Sequence, residues 1–283
     1  MGLADPVELE LKATRYSVDG HVATLTLDRP HRRNAWTGRM HHEYRWAMTR
    51  AEADPEVRVV VVTGAPSDDG RSAFCVGADA KALDGHREAG AYDNGLGDVD
   101  PPMPPVEDAF AADFAFQLGM STPIVAAVNG AAAGVGLAVV CFADIRFAVS
   151  GAKLTTAAPK LGFPAEYGLS WILPRLVGAG RAADWLLSGR AFTTDEAERV
   201  GLFSAVLEPE AFAAHVDAYA AELAVHVSPA STAVTKRQLW TELLHHDPAR
   251  SVRESIELIE TMATGPDFAE GTRALAERRP PEF

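Results

Sequence analysis

The pattern of hydrophobic and polar positions in residues 16–63 is typical of two strands, a helix and a third strand. Apolar and polar residues alternate from Tyr16 to Asp28 around Asp19-Gly20, a dipeptide that favours a hairpin turn. Residues Asn34 to Ala53 have helical character and end before Asp54-Pro55. Residues 58–63 (RVVVVT) form a continuous apolar run, as expected of a strand that is covered on both faces. This order predicts an α/β fold with a largely parallel sheet.

The most apolar part of the chain is residues 123–144. It begins with a strand-like run, Ile124 to Val128, turns at Asn129-Gly130, and continues from Gly134 as an apolar helix. The first N–H groups of a helix have no partner inside it, so this turn could offer bare donors to an oxygen that becomes negative during a reaction. The stretch carries no charge before its last residue, but its proline, asparagine and glycines argue against a membrane span.

A second turn of small residues follows the short apolar run at residues 73–76. Gly77, Ala78 and Asp79 stand before a predicted helix, so Ala78 could supply a second exposed N–H. Taken alone, such residues usually form an ordinary turn. Ile145 to Val149 predicts a further strand.

A single glutamate, Glu166, lies between Pro164 and Gly168, just before an apolar helix that is expected to begin near Leu169. A glutamate at the start of a helix is most often a solvated residue that interacts with the helix dipole. The position by itself therefore does not distinguish a structural role from a chemical one.

The chain divides into a core and a helical end. Its length of 283 residues suits one α/β domain with an appendage or two modules equally well, and its 47% hydrophobic residues are an ordinary globular value. Residues 1–208 are predicted to form the core, and residues 209–283 a helix-rich region with breaks near Ser228-Pro229, Asp247-Pro248 and Gly265-Pro266. Within the core, residues 84–122 lack regular periodicity, and we interpret them as a variable lid over a pocket or as a disordered surface excursion.

The excess of acidic over basic residues restricts the classes of ligand that the chain is expected to bind. The formal net charge of the 283 residues is −13, so nucleic acid is not expected, and an anionic ligand would need a local cationic patch. Cys75 and Cys141 indicate neither a disulfide framework nor a zinc site, and no metal is expected. The N-terminal residues MGLAD lack the features of a signal peptide, so the cytoplasm is the expected location and no membrane is expected as a partner.

Several common catalytic motifs are missing from the sequence. It has no Gly-x-Gly-x-x-Gly after the first strand, no P-loop, no His-Glu-x-x-His and no Gly-x-Ser-x-Gly. Nucleotide-dependent dehydrogenases, P-loop ATPases, zinc hydrolases and α/β-hydrolases therefore lack support. The pairs His41-His42 and His245-His246 are consecutive and point in different directions on a helix, so we interpret them as surface residues rather than metal ligands.

Six motifs, in order, resemble the crotonase (enoyl-CoA hydratase/isomerase) superfamily. The resemblance runs from about Tyr16 to Phe283, and the order of the motifs is far more specific than any one of them. They are residues 19–36, 58–64, 72–83, 123–148, 174–178 and 270–283.

The resemblance implies a crotonase-like spiral of ββα units, a helical C-terminal trimerisation region, a homotrimer or hexamer, and acyl-CoA thioesters as substrates. Coenzyme A is part of the substrate, so no cofactor is expected. Two backbone N–H groups bind the thioester oxygen in this family, and the matching positions are Ala78 and Val135. Two fixed donors would stabilise the negative charge that develops on that oxygen.

The resemblance also implies a surface that binds coenzyme A and the acyl group. Arg278 matches a basic C-terminal residue, commonly supplied by a neighbouring subunit, that meets the phosphate of coenzyme A. The matching positions for this surface are Arg33, Ala35, Val76, Gly77, Asp79, Ala80, Lys81, Gly134, Ala138, Ala158 and Arg278.

Three departures from the family pattern bear on the reaction. The two glutamates that act on water in hydratases are matched by Ala138 and Ala158, which cannot transfer a proton. Glu166 matches an acidic residue found in members that isomerise double bonds or attack an aromatic acyl-CoA, and a dry pocket would raise its pKa. Val135 replaces a glycine or another small residue, so its side chain would narrow the pocket.

The sequence therefore predicts an enoyl-CoA isomerase in which Glu166 moves the proton while Ala78 and Val135 hold the dienolate oxygen. Two alternatives stay open. One is an enoyl-CoA hydratase or acyl-CoA hydrolase whose acid–base group comes from residues 84–122. The other is a non-catalytic acyl-CoA-binding protein that kept the oxygen-binding turns after losing both glutamates.

Overall fold

The computed structural model describes residues 9–67, 72–81, 84 and 103–283, which build two sheets surrounded by helices. The larger sheet has six strands in the order β1-β2-β3-β5-β7-β10, and the smaller one has four in the order β4-β6-β8-β9. The strands are β1 (Thr14–Asp19), β2 (Val22–Leu27), β3 (Val59–Gly64), β4 (Ala73–Cys75), β5 (Ile124–Val128), β6 (Ala131–Ala133), β7 (Ile145–Val149), β8 (Lys153–Thr155), β9 (Phe192–Thr193) and β10 (Ala205–Leu207).

The helices follow the strands along the chain and fill its C-terminal quarter. Helical backbone also begins at Ala80. The helices are α1 (Gly38–Ala53), α2 (Phe116–Gly119), α3 (Val135–Cys141), α4 (Leu169–Val177), α5 (Ala179–Ser188), α6 (Thr194–Glu198), α7 (Pro209–His226), α8 (Pro229–Glu242), α9 (Pro248–Met262) and α10 (Pro266–Glu277).

The large sheet confirms the predicted α/β class. Strands β1 and β2 form the expected antiparallel hairpin, and β2, β3, β5, β7 and β10 then run parallel to one another. After β3, β5 and β7 the chain enters β4, β6 and β8, which pair in parallel in the small sheet. The chain therefore repeats one step, a long strand followed by a short one, and winds as a spiral.

Both faces of the large sheet are covered, as the apolar run at residues 58–63 predicted. Val60 and Val62 belong to the main core, whereas Val59 and Val61 point to the other face. That second face packs against α7 through residues such as Phe212. Each such buried side chain contributes about 1.5–3 kcal/mol relative to an exposed one.

Three C-terminal helices begin at the prolines where the sequence predicted breaks between helices. Helices α8, α9 and α10 begin at Pro229, Pro248 and Pro266. Proline fits the first turn of a helix because the N–H that it lacks would have no partner there. Since α7 packs on the sheet, the helical region is attached to the core, and the boundary at residue 208 stays a prediction.

Helix α1 begins later than expected, at Gly38 instead of Asn34. Both Arg33 and Asn34 have left-handed backbone, with φ of 53° and 56°. The buried amide of Asn34 donates to the carbonyls of Ala65 and Ala73, 2.9 Å away in each case, and these bonds favour a turn over a helix.

Residues 85–102 of the predicted lid lie outside the described residues. The rest of it, from residue 103 onward, contains a 3₁₀ helix (Asp108–Phe110) and α2, and it buries Phe110, Phe114 and Phe116 in the core. Within the described chain, no helix combines the length and apolar character that a membrane span requires.

Candidate active site

The turn at Ala78 is fixed by its pairing with Trp36. The N–H of Trp36 donates to the carbonyl of Gly77, and the N–H of Asp79 donates to the carbonyl of Trp36, both over 2.8 Å. These bonds use the peptide groups on either side of Ala78, so its own N–H points away from Trp36. Gly77 has a φ of +95°, which L-residues rarely adopt, and a Cβ there would lie 3.3 Å from the carbonyl oxygen of Ala133.

The second turn comes at the start of α3. Gly134 has a φ of +48°, and its N–H donates to the carbonyl of Thr155 over 3.1 Å. The first helical bond runs from the N–H of Ala138 to the carbonyl of Gly134, which leaves the N–H of Val135 outside the ladder. A Cβ on Gly136 would lie 2.4 Å from the carbonyl oxygen of Cys75, so the first turn of α3 lies directly on β4.

The two turns are neighbours because β4 and β6 pair in the small sheet. Neither the N–H of Ala78 nor that of Val135 makes a hydrogen bond within the described residues. Two unused donors in adjacent turns suit an oxygen that carries partial or full negative charge.

The carboxyl of Glu166 lies beside the second turn. Its Oε2 is 3.0 Å from the point where a Cβ of Gly134 would stand, so glycine at residue 134 leaves the space that the carboxyl occupies. The residues after Glu166, Tyr167 and Gly168, both have left-handed backbone with φ of 47° and 73°. This double left-handed turn brings the chain into α4, and the N–H of Leu169 closes it on the carbonyl of Glu166 over 2.9 Å.

The surroundings of Glu166 favour its neutral form. The side chain is half-buried and makes no hydrogen bond or ion pair within the described part of the chain. Burial raises the pKa of Glu166 above its ordinary value of 4.5. A carboxyl with a raised pKa beside the turn that carries the unused Val135 N–H is suited to accepting and returning a proton.

The two alanines that match hydratase glutamates are buried. Ala138 lies in the first turn of α3, and Ala158 begins the 3₁₀ helix Ala158–Leu161 after Ala157, whose φ is 57°. Their methyl groups carry no exchangeable proton, whereas the described residues include one carboxyl side chain, that of Glu166, beside the Gly134–Val135 turn.

The predicted surface for coenzyme A contains a basic cleft of about 330 Å³. Arg29 Nη1 donates to the carbonyl of Ala35 over 2.6 Å and to Asp79 Oδ2 over 3.0 Å. Burial opposes the ionisation of Asp79, but hydrogen bonds from Lys81 N–H and Arg29 outweigh it and lower the pKa of Asp79. The cleft is lined by Arg29, His31, Arg32, Thr37, Asp79 and Lys81.

Of the basic residues in this cleft, the sequence analysis missed Arg29, His31 and Arg32. Arg32 and Lys81 are exposed and have no ion pair within the described residues. The signal for the missed residues was the basic run at residues 29–33, directly before the left-handed turn. The cleft is the kind of local cationic patch that an anionic ligand of this acidic chain requires.

Arg278 does not meet the other predicted site residues within one chain. It ends α10 in left-handed conformation with an exposed side chain, and no described contact joins it to Ala78, Val135 or Glu166. The tail beyond it returns to α7, where Pro281 O lies 2.9 Å from His226 Nδ1. No group of three or more His, Cys, Asp or Glu in the described part of the chain is arranged as metal ligands.

One prediction about a histidine was wrong. His41 is buried, with Nε2 3.2 Å from Asp113 Oδ1, because helix α1 turns that side chain toward residues 113–114. Sequence reasoning could not find this contact, since its partner is distant in the chain.

The proteins that this chain resembles in sequence and in structure are named as hydratases or isomerases of CoA thioesters. The family model described as enoyl-CoA hydratase/isomerase matches residues 17–283. A probable enoyl-CoA hydratase of Mycobacterium tuberculosis is 38% identical over 94% of this chain and 92% of its own length. The (E)-benzylidenesuccinyl-CoA hydratase of Thauera aromatica is 32% identical over 98% of each chain. A crystal structure of a probable enoyl-CoA hydratase/isomerase from Mycobacterium abscessus superposes with a TM-score of 0.81 and 32% identity, covering 95% of this chain and 98% of that one.

Proposed function

The chain belongs to the enoyl-CoA hydratase/isomerase family, and from this premise we propose that it is an enoyl-CoA isomerase with a single catalytic carboxylate, that of Glu166. Membership makes it an enzyme of acyl-CoA chemistry, whereas the choice between isomerisation and hydration is the proposal. The position of the Glu166 carboxyl beside the Gly134–Val135 turn is the observation that carries it.

The proposed reaction moves one proton and needs no water. Ionised Glu166 takes a proton from the α carbon of a 3-enoyl-CoA. The electron pair of the broken C–H bond forms a double bond to the thioester carbon, and the carbonyl π pair moves onto the thioester oxygen, which gives a dienolate. The N–H groups of Ala78 and Val135 stabilise that oxygen, one such donor being worth about 3–4 kcal/mol in a dry site. Glu166 then returns the proton to the γ carbon, which gives the 2-enoyl-CoA.

Coenzyme A is proposed to lie across the basic cleft, with its phosphates near Arg32 and Lys81. Arg278 would come from a neighbouring subunit of a trimer or hexamer. The exposed side chains of Val252, Ile256 and Ile259 recur on one face of α9 and support self-association through the C-terminal helices.

Hydration is the second candidate, because the names of the relatives favour it. Addition of water calls for two coordinated acid–base groups, and the matching positions hold Ala138 and Ala158. A hydratase would therefore need a second group in addition to Glu166, from residues 84–122 or from another subunit.

Product analysis of the purified protein with 2-enoyl- and 3-enoyl-CoA in isotopically labelled water tests the proposal. We expect the two thioesters to interconvert, with solvent deuterium entering the acyl chain and no solvent oxygen. Solvent oxygen in a hydroxyacyl product would establish hydration instead, and release of free coenzyme A would establish hydrolysis. Calorimetric binding of acyl-CoA with no change in the ligand would mean that the protein only binds its thioester.

The pH dependence of the reaction should follow the ionisation of Glu166. Only the ionised carboxylate accepts a proton, and burial raises the pKa of Glu166 above 4.5, so kcat/KM should rise with pH through a value above 4.5 and then level off.

Because Glu166 is buried, its ionisation also lowers the free energy of unfolding. Relative to a Glu166→Gln variant, wild-type stability should be greatest at low pH and should fall as pH rises through the folded-state pKa. An inflection in kcat/KM at or below 4.5 would contradict the assignment.

A further inference from the structure

The guanidinium of Arg29 lies in the wall of the basic cleft, but it already serves two acceptors of the protein itself. Its Nη1 donates to the carbonyl of Ala35 over 2.6 Å and to Asp79 Oδ2 over 3.0 Å. The side chains of Arg29 and Asp79 are only 18% and 14% exposed, so water screens their charges less than those of a surface pair. The backbone of Arg29 is fixed too, because it exchanges hydrogen bonds of 3.0 Å with the side chain and the N–H of Asn34.

A series of hydrogen bonds leads from this guanidinium to the N–H of Ala78. The carbonyl of Ala35 and the N–H of Trp36 belong to one peptide unit, and that N–H donates over 2.8 Å to the carbonyl of Gly77. The carbonyl of Gly77 belongs to the same peptide unit as the N–H of Ala78. In a trans peptide the C=O and the N–H point in opposite directions, so each unit passes the series on. We call these bonds the Arg29 hydrogen-bond series.

The Arg29 hydrogen-bond series has two effects on the N–H at its end. It fixes the plane of the Gly77–Ala78 peptide, because rotation of that plane would break the bond from Trp36. It also polarises the peptide units, since bonds in a series strengthen one another by about 10–30% each. The first donor is a cation, and a hydrogen bond from a charged group is roughly twice as strong as one between neutral groups. The N–H of Ala78 is therefore a stronger donor than an isolated amide.

The N–H of Val135 is supported in a different way. The carbonyl in its peptide unit is that of Gly134, which accepts the N–H of Ala138 over 3.0 Å within α3. This donor therefore draws on the aligned peptide dipoles of the first turn of α3. A change at Arg29 should consequently weaken one of the two donors and leave the other as it is.

We propose that Arg29 is a positioning residue that orients and polarises the Ala78 N–H through the two peptide units of the Arg29 hydrogen-bond series. The inference rests on the proposed function for the placement of the thioester oxygen at Ala78 and Val135. That oxygen gains negative charge as the dienolate forms, so a donor supported by a cation stabilises the dienolate more than the thioester. Asp79 takes part by holding the same guanidinium nitrogen beside Ala35.

The carbonyl stretch of a bound thioester measures the strength of its donors without requiring turnover. The probe is butanoyl-CoA labelled with ¹³C at the carbonyl carbon, observed by isotope-edited infrared difference spectroscopy. In wild type we expect the band at lower wavenumber than in the free ligand. Arg29→Met should lose about 10–30% of that shift, the share of one bond in a polarised series. Its kcat should fall about tenfold, a part of the roughly 10²- to 10³-fold that a whole donor contributes.

Arg32→Met is the matched control, because it removes a cation from the same cleft. The exposed side chain of Arg32 lies outside the Arg29 hydrogen-bond series, so this variant should weaken the binding of free coenzyme A and leave the carbonyl band at the wild-type position. Arg29→Lys keeps a cation beside Asp79 and should recover part of the lost shift. If Arg29→Met does not fold because Asp79 keeps an uncompensated charge, Arg29→Met with Asp79→Asn removes both charges and should lose the same part of the shift.

The spectra separate this inference from the proposed reaction. A wild-type band that is shifted from the free ligand and stays unchanged in the folded Arg29 variants would overturn the inference, as would an equal loss of shift in Arg32→Met. A wild-type band at the position of the free ligand would overturn the placement of the oxygen and the inference with it. A band that responds to Arg29 in a protein without isomerase activity would support the inference and overturn the proposed reaction alone.

Discussion

Replacing Glu166 by glutamine is expected to lower the rate of double-bond isomerisation by a factor of roughly 10² to 10⁴, the usual contribution of a positioned acid–base group. Glutamine has nearly the same shape, so it should still fit beside Gly134, but its amide cannot accept a proton. The dissociation constant for a saturated acyl-CoA should change little, because the N–H donors of Ala78 and Val135 remain. Steady-state turnover together with calorimetric binding measures the two effects separately.

A matched control for this prediction is Glu222→Gln. Glu222 is exposed on α7 and belongs to neither the turns nor the basic cleft, so the same change of charge there should leave turnover at the wild-type level. Turnover by Glu166→Gln equal to that of wild type would remove Glu166 from the reaction. It would leave membership of the family intact, since the family rests on the whole chain.

Much of the large sheet could be predicted because its strands have a strong local pattern. The run that became β5 is apolar throughout, and β3 begins with four consecutive buried valines before Thr63, as expected of strands that are covered on both faces. The small sheet was missed because β6, β8 and β9 have only two or three residues each. Their pairing depends on close approach between backbones that are distant in sequence, as where a Cβ on Gly130 would lie 2.3 Å from the carbonyl of Ser72.

The sequence could suggest the residues of the candidate site but not their geometry. The small-residue turns at Ala78 and Val135 stand out in the sequence, and family resemblance gave them a role. The approach of Glu166 to Gly134 depends on two consecutive left-handed residues, and Tyr167 is not a residue that signals such a backbone. Phe114 is a similar case, because nothing in its local sequence indicates a positive φ or a contact with Tyr167.

A buried ion pair between Lys236 and Asp144 connects helix α8 to the core. The carboxylate of Asp144 also accepts hydrogen bonds from two other residues. Its Oδ2 lies 2.7 Å from Lys236 Nζ and accepts the N–H of Ile124, while its Oδ1 accepts the indole N–H of Trp240, both over 2.7 Å. The side chains of Lys236 and Asp144 are 4% and 10% exposed. Lys236 also donates to the carbonyl of Thr122 over 2.9 Å, so the pair joins the C-terminal region to the start of β5.

Replacing Asp144 by alanine is expected to lower the free energy of unfolding by roughly 3–5 kcal/mol, because it leaves the Lys236 ammonium buried without its counter-charge. Chemical denaturation measures this loss. The control is Arg250→Ala, which removes an ion pair of similar length, 2.6 Å to Glu254, whose side chains are both 43% exposed. Water screens that pair, so its loss should cost about 0.5 kcal/mol or less.

The double variant Asp144→Asn with Lys236→Met should recover part of the stability lost in Asp144→Ala, since it removes both charges and keeps an acceptor for Trp240. Equal losses for Asp144→Ala and Arg250→Ala would show that the buried pair does not hold α8 on the core.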